Sequence, residues 1–194
     1  MLKKILTLLL LLSFFSCSEK KHDSSIVTIK TKFGNIDIKL FAQNAPKTVS
    51  AFLSFIDSGY YENSSFYRVL KEDNQPIGGY RPELIQGGIY KSNYPLSIKI
   101  KGIPHESTLE SKLSHTNGTI SLARTTAGSA TTEFFICVGD QPSFNYGGDS
   151  NPDKLGYAAF GIVVKGMDVV SKIHHQPENG EDFDPPVSIL NIVR

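Results

Sequence analysis

The stretch Phe66-Tyr67-Arg68-Val69-Leu70, FYRVL, has the aromatic and β-branched composition of a β-strand. Strict alternation along it would put Arg68 on the same face as Phe66 and Leu70, a permanent cation on an apolar surface. Two readings account for that. Either the arginine lays its stem on the sheet and pairs with an acid of the chain such as Glu83 or Glu133, or it waits in a groove for a partner from outside. Working outward, Ile26 to Leu40 holds two alternating runs, IVTIKTKF and NIDIKL, joined at Gly34 as a hairpin. Further strands are predicted at Leu84-Ile85 running into Gln86-Gly87-Gly88, at Thr119–Ala123, Glu133–Val138, Ala158–Val164 and Val187–Val193. Two helices are expected. The first is capped by Asn44, with Pro46 in its first turn, Val49, Phe52, Leu53 and Ile56 on one stripe, and a stop at Gly59. The second runs from Asp168 to His175, with an acid near its start and Lys172, His174 and His175 at its negative end. Many short strands with only two helices point to a mainly β domain, and of the barrel and the sandwich we favour the closed barrel.

The 194 residues suit one such domain, and 20 Lys and Arg against 19 Asp and Glu leave no basic field for nucleic acid. The first 16 residues are of another kind. A positive start, Met1-Leu2-Lys3-Lys4, precedes an apolar run from Ile5 to Ser16 that is too short for the roughly 20 residues of a spanning helix and reads as an export signal. It ends in LSFFSC, which resembles the signal of bacterial lipoproteins, in which the cysteine is lipidated. Residues 1–16 are therefore expected to be a signal peptide, Cys17 a lipid anchor to the membrane of the cell envelope, and residues 17–25 a polar tether to a domain at 26–194. Cys137 is then the one remaining cysteine; it lies in the apolar run FFICV and reads as a buried thiol, so no internal disulfide is expected.

Taken in order, FYRVL, IQGG, GTISLAR, EFFICVGDQPS and YAAFGIVVKGMDVV give the chain from Ile26 to Arg194 a resemblance to the cyclophilin-type peptidyl-prolyl cis-trans isomerases. The resemblance implies a closed eight-stranded antiparallel barrel capped by two α-helices, with the substrate groove outside the barrel. It implies that Arg68 is the catalytic arginine and that Gln86 holds the substrate backbone. Leu84, Phe135, Phe144 and Tyr157 would line the proline pocket, Phe134 would pack inward, and the backbone at Ala123 and Arg124 would hydrogen-bond the peptide. No metal or other cofactor is implied, proline-containing polypeptides are the partners, and a monomer is expected.

The chain departs from the family pattern at Tyr67, where a histidine is usual, at Glu83, commonly aromatic, and at Ser143, where a tryptophan or phenylalanine is frequent. The 18 positions from Arg68 to Gln86 also make a longer loop than the compact family form. These changes keep a second function open, a proline-peptide binding module or chaperone with weak catalysis. Other signals are set aside. Asp149–Asp153, DSNPD, begins like a calcium loop but lacks the glycine and closing glutamate. His105-Glu106 lacks the second histidine of a zinc protease motif. A serine hydrolase would need a nucleophile beside His115 or His105.

Overall fold

The computed structural model describes residues 26–194; the expected signal peptide, Cys17 and the tether lie outside the described residues. The strands, in chain order, are β1 (Ile26–Thr31), β2 (Gly34–Leu40), β3 (Ser64–Leu70), β4 (Leu84–Gly88), β5 (Thr119–Leu122), β6 (Phe134–Cys137), β7 (Ala158–Lys165), β8 (Glu178–Asn179) and β9 (Asp182–Val193). Eight of them pair antiparallel in the order β1-β2-β7-β5-β6-β4-β3-β9, and β9 returns to β1 to close the barrel. The short β8 forms a hairpin with the start of β9. The expected closed barrel is what the chain builds.

The two expected helices are present as α1 (Pro46–Asp57) and α4 (Met167–His174), and two further single turns, α2 (Tyr94–Ser97) and α3 (Thr108–Ser111), lie between β4 and β5. Helical periodicity cannot show in four residues, although the capping box of Ser107 and Glu110 is a local sign of the start of α3. The cap of α1 differs from expectation. Its N-terminal residue is Ala45 with no side-chain bond to the helix, while Asn44 donates from Nδ2 to the Ser111 carbonyl at 2.8 Å. The exposed amides are instead met by a distant carboxylate. Glu106, buried, accepts from the Lys47 N–H at Oε1 (3.1 Å) and from the Thr48 N–H and hydroxyl at Oε2 (2.8 and 2.7 Å). A negative charge at a helix N-terminus also meets the positive end of the helix dipole.

Inside the barrel, Phe52 of α1 packs on Phe160 at 5.0 Å between ring centroids and on Phe134 at 5.8 Å, and Phe66 meets Phe134 at 5.8 Å. With Val27, Ile29, Ile36, Ile38 and Ile120 these side chains fill the interior. A second, smaller apolar cluster forms on the outer surface from Leu70, Leu84, Phe135, Cys137 and Phe144, with Ala123 and Tyr157 against it. Alternation along β6 splits the pair as expected, Phe134 to the interior and Phe135 to the outside.

Behind that outer cluster lies His115, 1% exposed and stacked on Phe135 with 17° between rings. The Asn145 Oδ1 lies 2.9 Å from its Nδ1, so Nδ1 carries the proton, and Nε2 accepts from the Ser121 hydroxyl at 3.0 Å. Burial depresses its pKa from 6.5 to about 4, although the Asn145 bond opposes the shift. The serine beside it is fully buried, so this Ser-His-Asn arrangement supports the pocket floor and offers no reachable nucleophile.

Two outcomes are expected. Glu106→Ala strands buried donors at the start of α1 and should lower stability in denaturant titration by about 2–3 kcal/mol. The imidazole binds its proton more weakly in the folded protein than in the unfolded chain. Stability should therefore fall as pH drops from 6.5 towards 4, by up to about 3 kcal/mol from this residue. The larger part of that slope should be absent in His115→Gln, measured as denaturation midpoint against pH.

Candidate active site

The site begins with an irregularity in β3. Phe66 pairs with Gly87 and Arg68 with Gln86, so Tyr67 is an extra residue with no partner on β4, and the register against β9 shifts at the same place. An inserted residue reverses the alternation. Phe66 consequently faces the barrel interior, while Arg68 and Leu70 reach the outer groove. The expectation that Phe66 shares a face with Arg68 is thus corrected: a period of two cannot run through a bulge. Across the sheet, the positions opposite Phe66 and Ser65 are the glycines Gly87 and Gly88. A Cβ on Gly87 would lie 2.9 Å from the Phe66 ring, and one on Gly88, whose φ is +148°, would collide with the Glu133 carboxylate.

The groove holds about 720 Å³. Its apolar half is floored by Phe135, with Leu84, Leu70, Phe144 and Tyr157 around it; Phe135, Phe144 and Tyr157 meet edge to face at centroid distances of 5.1–5.3 Å. Such a mutually braced set makes a rigid apolar seat. All four pocket side chains expected from the sequence come together here. Tyr80, supplied by the long loop between β3 and β4, closes one side, its hydroxyl bonded to the Gln141 side chain. Nothing in local periodicity marks Tyr80 for this place; only the length of its loop gives it the reach.

The polar half is built around Arg68, whose side chain is 36% exposed. Its Nη1 donates to Gln86 Oε1 at 3.1 Å, and its Nε and Nη2 donate to Glu181 Oε2 at 2.9 and 2.6 Å. An acid does pair with the arginine, but it is neither Glu83 nor Glu133. Glu83 lies 4.0 Å from His174, and Glu133 turns to the amides of Ile89 and Tyr90 and the Thr132 hydroxyl, each at 3.0–3.1 Å. Glu181 is 113 residues away in sequence and could not be identified as the partner without the hairpin of β8 and β9. The guanidinium remains at the groove with Gln86 beside the apolar seat.

Gln86 is held from its other end. Its Nε2 donates to the Tyr67 hydroxyl at 2.8 Å. Burial, reinforced by the nearby Glu133 carboxylate, drives the Tyr67 pKa far up, so the phenol keeps its proton. Burial likewise raises the pKa of Glu133, against the hydrogen bonds that stabilise its charge.

Ala123 and Arg124 line the groove, but their groups are already partly committed. The Ala123 N–H donates to the Glu133 carbonyl at 2.8 Å. Arg124 is 1% exposed in its side chain; it donates to both oxygens of Asp153 (2.7 and 2.8 Å) and to the Gly156 carbonyl (2.8 Å), with its guanidinium over the Tyr157 ring. The family resemblance gives this residue's main chain more weight than its identity. Its side chain in fact fastens the 145–156 segment to the pocket wall and draws the Asp153 pKa down to about 2. The DSNPD stretch accordingly spends one of its acids on Arg124.

A dry apolar seat with an arginine and a glutamine amide at its edge can hold a compact apolar ring and present N–H donors to an adjoining backbone. The comparisons with known proteins agree with that shape and chemistry. The family model described as "Cyclophilin type peptidyl-prolyl cis-trans isomerase/CLD" matches residues 26–194. Over 149 residues the chain is 40% identical to peptidyl-prolyl cis-trans isomerase B of Escherichia coli strain K12, covering 76% of this chain and 83% of that one. It is 35% identical over 155 residues to a peptidyl-prolyl cis-trans isomerase of Acinetobacter baylyi, covering 79% and 74%. A crystal structure of a Cryptosporidium parvum cyclophilin, determined with the dipeptide Ala-Pro, superposes with a TM-score of 0.66 at 23% identity over 87% of this chain and 97% of that one, a likeness of fold. The chain belongs to the cyclophilin family of peptidyl-prolyl cis-trans isomerases.

Proposed function

We propose that the isomerase works by presenting Arg68 to the prolyl nitrogen of an X-Pro bond whose ring occupies the Phe135 pocket, and that it does so as a lipid-anchored monomer outside the cytoplasm. The observation that carries the first part is the placement of a charged multi-donor group at the edge of a braced apolar seat. Rotation about X-Pro is slow because it breaks amide resonance, behind a barrier of about 18–20 kcal/mol. In the twisted state the prolyl nitrogen regains its lone pair and becomes an acceptor, which it is not in the planar amide. A donor aimed at it therefore stabilises the transition state more than either ground state.

Arginine suits this task. It is always charged, does not compete as a base, and holds its donors in a plane. A charged hydrogen bond is worth about 1.5–3 kcal/mol net, or one to two decades in rate. The remainder falls to orientation. Phe135, Leu84, Phe144 and Tyr157 seat the ring, and Gln86 with the main chain at Ala123 and Arg124 holds one flank so that the other rotates. The clients are polypeptides with accessible X-Pro bonds.

The reading of place rests on the N-terminal sequence, with its positive start, short apolar run and Ser16-Cys17. No helix among the described residues is long and apolar enough to cross a membrane; the assignment of attachment to acyl chains on Cys17 rests on the N-terminal sequence alone.

Arg68→Ala should fold and still bind a proline peptide while its isomerase rate, followed by exchange NMR on an Ala-Pro peptide, drops at least roughly tenfold; an unchanged rate removes the arginine from the mechanism. In a bacterial host the full chain should incorporate labelled fatty acid and sediment with membranes. Cys17→Ser should lose the label and be released by a membrane wash, and a labelled variant would assign the lipid to another residue.

A further inference from the structure

Arg68 has five N–H donors, and three of them already have partners within the protein: two face one oxygen of Glu181 and one faces Gln86. We infer that Glu181 and Tyr67 are positioning residues, which lock the guanidinium of Arg68 and the amide of Gln86 in their working orientation before any peptide arrives. The inference rests on the reading of Arg68 as the transition-state donor.

Glu181 is well placed for such a role because its own position is fixed from several sides. It follows Gly180, whose φ of +62° makes the turn of the β8–β9 hairpin, and its carbonyl accepts from the Val69 N–H at 2.8 Å. Two residues at the base of the long β3–β4 loop hold the same turn. Asn74 donates to the Gly180 carbonyl at 3.0 Å, and Lys71 pairs with Glu178 across a half-buried contact. The loop that lengthens the interval between Arg68 and Gln86 thus supports the carboxylate that holds Arg68.

The second arm acts through the amide. A glutamine side chain can turn over and exchange its oxygen for its nitrogen, and only one orientation offers an acceptor to Arg68. Tyr67 holds it there. Its hydroxyl accepts from Gln86 Nε2 at 2.8 Å, which leaves Gln86 Oε1 directed at Arg68 Nη1, a group that can only donate. A chain of side chains, Tyr67 to Gln86 to Arg68 to Glu181, thereby runs across the site. Both Tyr67 and Arg68 enter it because the bulge turns both out of the barrel.

A carboxylate on the guanidinium also works against catalysis by offsetting part of its charge. Arg68 and Glu181 are 36% and 41% exposed, so solvent screens that loss, whereas a free arginine would spread over many rotamers. Orientation should therefore win, and the sign of the effect on rate decides the matter.

The test is to measure kcat and KM on one Ala-Pro peptide for wild type, Glu181→Gln, Glu181→Ala, Tyr67→Phe, Arg68→Ala and the Arg68→Ala/Glu181→Ala double variant. Thermal melts and the NMR signal of the Arg68 Nε–H are recorded alongside. We expect kcat to fall about three- to tenfold in Glu181→Ala, less in Glu181→Gln, and severalfold in Tyr67→Phe, with KM within about twofold and the Nε–H signal shifted in Glu181→Ala. Glu181→Ala should add nothing in the Arg68→Ala background. A kcat that is unchanged or raised in Glu181→Ala overturns the inference, as does an equal loss with and without Arg68. If Arg68→Ala itself keeps full kcat, the catalytic reading of that arginine fails, and the inference with it.

Discussion

A single extra residue in β3 decides which side chains serve the core and which serve the groove. Without the bulge at Tyr67, the strand that supplies Phe66 to the interior would present Arg68 to the interior as well, where an unpaired cation is heavily penalised. With it, Phe66 keeps its aromatic contacts, Val69 remains in the core, Arg68 and Leu70 line the outer groove, and Tyr67 meets Gln86 behind it. The two glycines of β4 are the other half of the same device. They leave room for the Phe66 ring and the Glu133 carboxylate at the place where the strands are pinched. Core and site are therefore specified together, and a substitution at Gly87 or Gly88 would disturb both.

The barrel interior is filled by side chains, so the chemistry has to sit on its outside, and an outside site needs walls that the sheet itself cannot supply. Three non-strand segments provide them. The β3–β4 loop brings Tyr80, the turn at Pro142–Phe144 brings Phe144, and the segment held by Arg124 and Asp153 brings the approach to Tyr157. His115 braces the arrangement from below. Each wall is fixed by a polar contact made outside the apolar surface it presents, which allows a rigid pocket without a large core of its own.

Much of this could be read from the residues. Alternation and turn signals gave every barrel strand its approximate place, and the family motifs brought Arg68, Gln86, Leu84, Phe135, Phe144 and Tyr157 to one groove. What escaped was everything that depends on long-range meeting. Glu106 caps a helix that begins 60 positions earlier in the chain, Glu181 takes the arginine for which nearer acids were proposed, and Arg124 uses its side chain as a clasp. None of these partners shares a period or a motif with the residue it meets. The bulge escaped for the opposite reason: it is local, but it is visible only as a phase change between two short runs, and FYRVL is too short to show one.

The closure of the barrel has a kinetic side. β1 is bonded to β2 from the moment a hairpin can form, but its other edge finds Ile189 to Val193 only across nearly the whole length of the domain. Contacts of such wide separation carry the largest loop-closure cost and tend to form late. Until they do, β1 keeps an open edge, and Val27 and Ile29 lack the cover that the finished barrel gives them. The seam between β1 and β9 is thus the part of the barrel whose closure depends on nearly all the rest of the chain being in place.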